Sequence, residues 1–134
     1  MNNQQLEVKV KTVSGSLLYK KGYVCSVDVL MELGYLSAKD YDNWRFGRVG
    51  YLERVCQVNL RKLSLINKII RKFAVQQQLK SSWTAYKKYG KGPKKHLQFS
   101  KSGDDKIEKA YATHFVKSRD KTVIAEPLAD ELPF

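Results

Sequence analysis

A chain of 134 residues, 43% of them hydrophobic and with a net charge of +12, has the length of one domain and enough apolar content for a single core. No stretch approaches the eighteen or so uninterrupted apolar residues of a membrane span, and the polar start MNNQQLEVKV lacks the apolar centre of a secretory signal. The two cysteines, Cys25 and Cys56, fit no paired metal or redox spacing, so the expectation is a small soluble cytoplasmic protein with reduced thiols.

The fold expected is mainly α with a small antiparallel β element. Residues 1–116 form one compact domain and 117–134 a flexible tail. LEVKVKTV alternates apolar and polar residues, which predicts a half-buried strand from Leu6 to Val13, broken by Gly15 and Ser16. A helical N-terminal part follows over 15–48. Ser26 caps a short helix that Gly34 ends. Ser37 opens another, SAKD having the S-x-x-D form of a capping box, and this helix runs through Trp44 to about Phe46.

The stretch VDVLMELGYLSAKDYDNWRFGRV, residues 27–49, resembles the winged helix-turn-helix of excisionase and MerR-type regulators. That resemblance implies a second helix entering a DNA major groove. The chain departs from the pattern in two ways. Its glycine-to-serine spacing is longer by a residue, and the second helix carries Asp40 and Asp42 where a DNA reader carries basic or amide side chains. A small helical subdomain with Trp44 in its core accounts for the same residues.

YLERVCQVNLRKLSLINKIIRKFAVQQQL contains no Pro or Gly, which predicts one central amphipathic helix over 50–79, roughly 43 Å long. Steps of about 100° per residue place Leu52, Val55, Cys56, Leu63, Ile66, Ile70, Phe73 and Ala74 on one face. Arg54, Arg61, Lys68 and Lys72 fall on the other. A solvent face normally mixes signs for pairing along the helix, and this one does not. Just before it, Arg45 and Arg48 flank a glycine in WRFGR. The arginine fork suits phosphate, and a helix N-terminus is itself an anion site. Intramolecular pairing with Glu53, Asp40 or Asp42 is the alternative for these two arginines.

The excess charge is localised. Residues 45–101 hold fifteen basic side chains and one acid, Glu53, whereas residues 1–44 hold five of each sign. A localised field of this kind suits a polyanionic partner. SSWTAYKKYGKGPKKHLQFSKSG predicts a basic hairpin over 82–101 around a Gly/Pro turn, anchored by Leu97 and Phe99. Lys87, Lys88, Lys91, Lys94, Lys95 and Lys101 could neutralise phosphates. Trp83, Tyr86, Tyr89 and His96 could stack on unpaired bases. Lysine rather than arginine dominates, which favours backbone attraction over sequence readout. A lysine-lined edge that resists aggregation, its aromatics in the core, is the competing account.

GKGPKK lacks the G-x-x-x-x-G-K-[ST] spacing of a phosphate-binding loop, and no hydrophobic strand leads into it. SGDD then starts a last helix over 103–116, with Ser102 as cap and Asp104 and Asp105 at the positive end of the macrodipole. It should bury Ile107, Ala110, Tyr111 and either His114 or Phe115. His96 and His114, the two histidines, have no serine or cysteine motif around them. The tight acidic group Asp104, Asp105 and Glu108 is accounted for by helix capping. The sequence thus offers no catalytic constellation, metal site or cofactor.

The tail TVIAEPLADELPF interleaves acids with apolar residues, as short docking peptides do. It would either bind a protein or fold back on the basic face. The function expected is non-enzymatic nucleic-acid binding, RNA or DNA, with RNA or a single strand favoured by the aromatics. The competing expectation is a protein-interaction adaptor or inhibitor that docks on an acidic protein or nucleoprotein complex, in part through this tail.

Overall fold

Asn2 and Gln5 cap each other at the start of the first helix. The Asn2 side chain accepts from the Gln5 amide at 2.8 Å, and the Gln5 side chain accepts from the Asn2 amide at 2.9 Å. In the computed structural model, which describes residues 2–117, helix α1 (Asn3–Lys21) grows from this cap. The strand expected over Leu6–Val13 is therefore helix, and helical structure begins at residue 3 rather than 15. Burial of Leu6, Val10, Ser14, Leu17 and Leu18 follows the helical repeat, while Val8 stays 65% exposed. Gly15 and Ser16 do not break the helix. It ends at Gly22, where φ of +81° in the left-handed region lets the amide donate to the Leu18 carbonyl at 2.9 Å.

Strand β1 (Tyr23–Cys25) leads directly into α2 (Ser26–Glu32), followed by α3 (Ala38–Arg45). Ser37 caps α3 as expected, its hydroxyl accepting from the Asp40 amide at 3.1 Å. Ser26 does not cap α2. It is buried, and its hydroxyl donates to the Asn67 side chain instead.

The central helix is shorter than expected. Leu52–Val55 form a single 3₁₀ turn, and α4 (Leu60–Gln76) starts afresh from Asn59, whose side chain accepts from the Lys62 amide at 2.9 Å. The break has tertiary causes. Leu52 and Glu53 donate their amides to Gln98 and Phe99 carbonyls at 3.2 and 2.9 Å, and Gln57 donates to the Tyr35 carbonyl at 2.7 Å. Partners elsewhere in the chain thus take donors that a continuous helix would use. Helix α4 buries Leu63, Ile66, Ile69, Ile70, Phe73 and Ala74 and packs along α1. Leu52 and Cys56 are buried too, but from outside the helix.

Strand β2 (Lys80–Trp83), α5 (Asp105–Ala112) and β3 (Thr113–Val116) complete an antiparallel sheet of order β1-β3-β2. The last helix, expected to reach 116, stops at Ala112. The chain turns extended at Thr113, whose ψ is 127°, and becomes the central strand. Asp104, not Ser102, caps α5 by accepting from the Lys106 and Ile107 amides at 3.1 and 3.3 Å. Tyr111 is buried, whereas Ile107 is 41% exposed and Ala110 also faces solvent.

Between β2 and α5 the chain doubles back, but only narrowly. One antiparallel bridge joins Lys87 and His96, flanked by Lys88 amide to Lys95 carbonyl at 2.9 Å and Leu97 amide to Tyr86 carbonyl at 2.8 Å. Strand β2 itself pairs with β3, not with the returning segment. Trp44 is wholly buried, its indole N–H donating to the Gln98 carbonyl at 2.8 Å. Its ring lies 5.1 Å from Phe99, which stacks on Tyr111 at 5.4 Å. This aromatic run ties α3, the basic loop and α5 into one core. The architecture is α+β, mainly helical with a small antiparallel sheet. Among the described residues no helix is long and apolar enough to cross a membrane. The tail expected over 117–134 lies outside the described residues from Ser118 onward.

Candidate nucleic-acid interface

Two basic surfaces emerge, one of them not visible as a run in the sequence. The first is a groove of about 1370 Å³ between the outer face of α4, the side of α5 and one face of the sheet. Helix α4 supplies Lys68 and Arg71, α5 supplies Lys106 and Lys109, and the loop before α5 supplies Lys101. None of these five cations takes part in an ion pair within the described residues. Hydroxyls of Ser64, Ser81 and Thr113 line the groove, and Leu60, Ile107 and Phe115 give it apolar ground.

One carboxylate lines the same groove, that of Glu53, and it is already engaged. Glu53 accepts from the Lys101 amide at 3.0 Å and from the Tyr111 hydroxyl at 2.7 Å. Burial, reinforced by that hydrogen bond to a carboxylate, pushes the Tyr111 phenol far above its ordinary range, so it remains a donor. Glu108 holds the same loop from the other side through the Phe99 and Ser100 amides. The two acids therefore fix the backbone that presents Lys101.

The second surface is the loop tip. Lys87, Lys91, Lys94 and Lys95 are exposed and Lys88 is half-buried, and the Lys94 ammonium donates to the Gly90 carbonyl at 2.7 Å. Arg45 supports this loop from below. Its guanidinium donates to the Tyr41 hydroxyl at 2.9 Å and the Lys87 carbonyl at 3.0 Å, and lies 4.0 Å from the centre of the Tyr89 ring. Its Nε is buried without a hydrogen-bond partner. Arg45 is thus a brace more than an open phosphate ligand. Arg48 is exposed, donates to Asn43 at 3.1 Å and lies over Phe46. Neither arginine pairs with Glu53, Asp40 or Asp42.

Several expected site residues fall elsewhere. Arg54 sits exposed on the 3₁₀ turn, off the helix that carries Arg61 and Lys68, so the four-residue stripe is broken. Lys72 turns toward α1, its ammonium 3.8 Å from Glu7. Arg61 remains exposed on α4 but does not line the groove. Tyr86 is not available for stacking on a base. It is 8% exposed, packs on Trp44 and Phe99, and its hydroxyl lies 2.9 Å from His114 Nε2. Tyr89 keeps partial exposure, with one side against Arg45 and an edge contact to Phe46 at 5.4 Å. Trp83 and His96 stand in the open and stack on one another, centroids 6.0 Å apart and planes at 24°.

Arg71, Lys106 and Lys109 were missing from the expected set. Arg71 shares the outer face of α4 with Lys68, and helical spacing could have found it. Lys106 and Lys109 lie among Asp104, Asp105 and Glu108, so counting charge along the chain hides them. The α2–α3 turn is present, but the exposed side of α3 carries Lys39 and Asp42, while Trp44 points into the core. Among the described residues no three His, Cys, Asp or Glu side chains are placed to share a metal ion. No family model, curated protein or solved structure matches the chain.

Proposed function

We propose that this protein binds nucleic acid non-enzymatically, through phosphate contacts made by the groove between α4 and α5 and by the lysine-rich loop. One observation carries the reading: among the described residues five cations converge on a single groove, free of ion pairs, against one carboxylate that is occupied in holding the loop. A self-neutralising surface would intersperse acids. This arrangement instead concentrates positive potential in a concave site, where the low-dielectric walls focus it. Phosphate contacts from lysine are compatible with many sequences, so affinity rather than base readout is the expected product.

A second reading rests on Leu60 and Ile107, 57% and 41% exposed within the same groove. Apolar ground between cations also suits an acidic, partly hydrophobic protein segment, as an adaptor would use. Direct binding separates the two. Fluorescently labelled RNA, single-stranded DNA and duplex DNA are titrated at low and moderate salt, and a three-site variant (K68Q, R71Q, K109Q) is titrated beside the wild type. Neutralising about five phosphates of a single strand gives a log–log salt slope of roughly −3 to −4. The affinity is expected to fall about a hundredfold over a fourfold rise in salt, and the variant to lose at least tenfold with its thermal midpoint unchanged. Absent binding to all three probes at low salt overturns the nucleic-acid reading and leaves the acidic-protein one standing.

A further inference from the structure

Trp83 lies next to the groove without lining it, and its ring stacks on His96 of the loop. Strand β2 is a sheet edge, and all four of its residues are exposed. Its register pairs Trp83 with Thr113 and Ser81 with Phe115. Alternation along a strand therefore puts Trp83 on the same sheet face as Ser81, Thr113 and Phe115, and those three line the groove. The indole shares that face with the groove and lies beside Thr113 of its lining. From the other side, the bridge between Lys87 and His96 delivers the His96 ring onto it. Directly before His96 come Lys94 and Lys95. An aromatic step thus lies between two sets of cations.

The two tryptophans have opposite situations. Trp44 is fully buried with its N–H satisfied by Gln98, as an indole in a core requires. Trp83 is 61% exposed, and its N–H makes no hydrogen bond within the described residues. An edge strand is normally blunted by charge or proline, and an open indole does the opposite. His96 limits its motion, so a partner ring stacking there would lose little side-chain entropy.

Resting on the nucleic-acid reading above, we propose that Trp83, braced by His96, is a base-stacking platform, and that the ligand of the groove is a single strand. Lys68, Arg71, Lys101, Lys106 and Lys109 take its phosphates while one base lies on the indole. A duplex cannot use this step, because its base faces are already stacked on each other, except at an end. A single strand offers a free π-face at every nucleotide, whatever its sequence.

The buried state of Trp44 makes the test direct, since a change in tryptophan emission on adding ligand reports Trp83. Wild type, W83A and W83F are titrated with a short unstructured oligonucleotide and with a duplex of equal length, following emission and, separately, the anisotropy of an end label. Emission should be quenched in step with single-strand binding. W83A should weaken single-strand affinity roughly five- to hundredfold, with the salt slope and duplex affinity unchanged, and W83F should restore part of the loss. Binding without quenching, together with wild-type affinity in W83A, sinks the platform and leaves the nucleic-acid reading intact. Equal losses for single strand and duplex in W83A also sink it. Should W83A fail to fold, the wild-type quench and W83F decide the matter alone. No binding of any probe refutes the broader reading and the platform with it.

Discussion

Ser100 gives both of its donors to one carboxylate: Glu108 Oε2 accepts from the Ser100 amide at 2.7 Å and from its hydroxyl at 2.7 Å. The same side chain takes the Phe99 amide at 3.0 Å, while the Phe99 carbonyl accepts from Glu53 at 2.9 Å. Ser100 is 1% exposed, so no solvent replaces a lost partner. Glu108→Ala is therefore expected to destabilise the fold by about 2–3 kcal/mol, the range for charged hydrogen bonds with buried donors left unmade. Glu108→Gln should recover part of that loss. Urea unfolding of the three proteins measures both, and an unchanged midpoint in the alanine variant would show that the loop is held by other contacts.

His114 should make stability depend on pH on the acid side. Burial lowers its pKa below the ordinary 6.5, with Lys21 acting the same way and Asp28 opposing. Its Nε2 lies within hydrogen-bond reach of the Tyr86 hydroxyl at 2.9 Å, and burial keeps that phenol protonated. Because the folded-state pKa lies below the unfolded one, the unfolded chain takes the proton first. The stability tied to the neutral ring is complete above pH 6.5 and is lost as pH falls from there through the folded-state pKa. One proton limits the slope to about 1.4 kcal/mol per pH unit. His114→Asn should flatten the profile between pH 7 and 5 relative to wild type, as chemical denaturation at fixed pH intervals will read. A wild-type profile already flat in that window contradicts the assignment.

Both thiols should be silent in the native protein. Burial pushes Cys25 and Cys56 each up to about 12, and the reactive thiolate is scarce at such a value. A disulfide reagent at pH 8 is expected to label neither thiol within minutes, and both once denaturant is added. Rapid native labelling of Cys56, the more accessible of the two at 9% exposure, would mean that the segment before α4 opens readily.

The sequence was most legible where local chemistry and tertiary need agree. Ser37 caps α3, Trp44 and Tyr111 enter the core, and α4 presents its apolar stripe where helical spacing puts it. It was least legible where they conflict. In LEVKVKTV the apolar residues recur at every second position, and only burial against α4 selects Leu6 and Val10 over Val8. The break before Asn59 carries no Pro or Gly, since it is made by acceptors on residues 35, 98 and 99. Strand β3 has only four residues and directly follows a helix, so its period is too short to register.

The candidate site divides in the same way. The loop lysines are a visible run. The groove is assembled from α4, the segment at Lys101, and α5, which are distant in sequence, and its lysines on α5 sit beside acids that cancel them in a linear count. Tyr86 and Trp83 lie three positions apart in one aromatic-basic stretch, yet one is core and the other surface. Packing on Trp44 and Phe99 buries Tyr86, while the edge position of β2 leaves Trp83 open, and composition shows neither.

Strand order has a bearing on how the molecule comes into being. Among the described residues the middle strand of the sheet is the last in chain order, and it pairs Val116 with both Tyr23 and Lys80. During synthesis the two outer strands therefore wait without a partner, and no stepwise addition of hairpins can build the sheet. Non-local pairing of this kind slows folding, because loop-closure entropy is lost before the contacts form. Strand β3 and the helix before it also supply part of the groove. The cleft is complete only once residues 113–116 lie between β1 and β2.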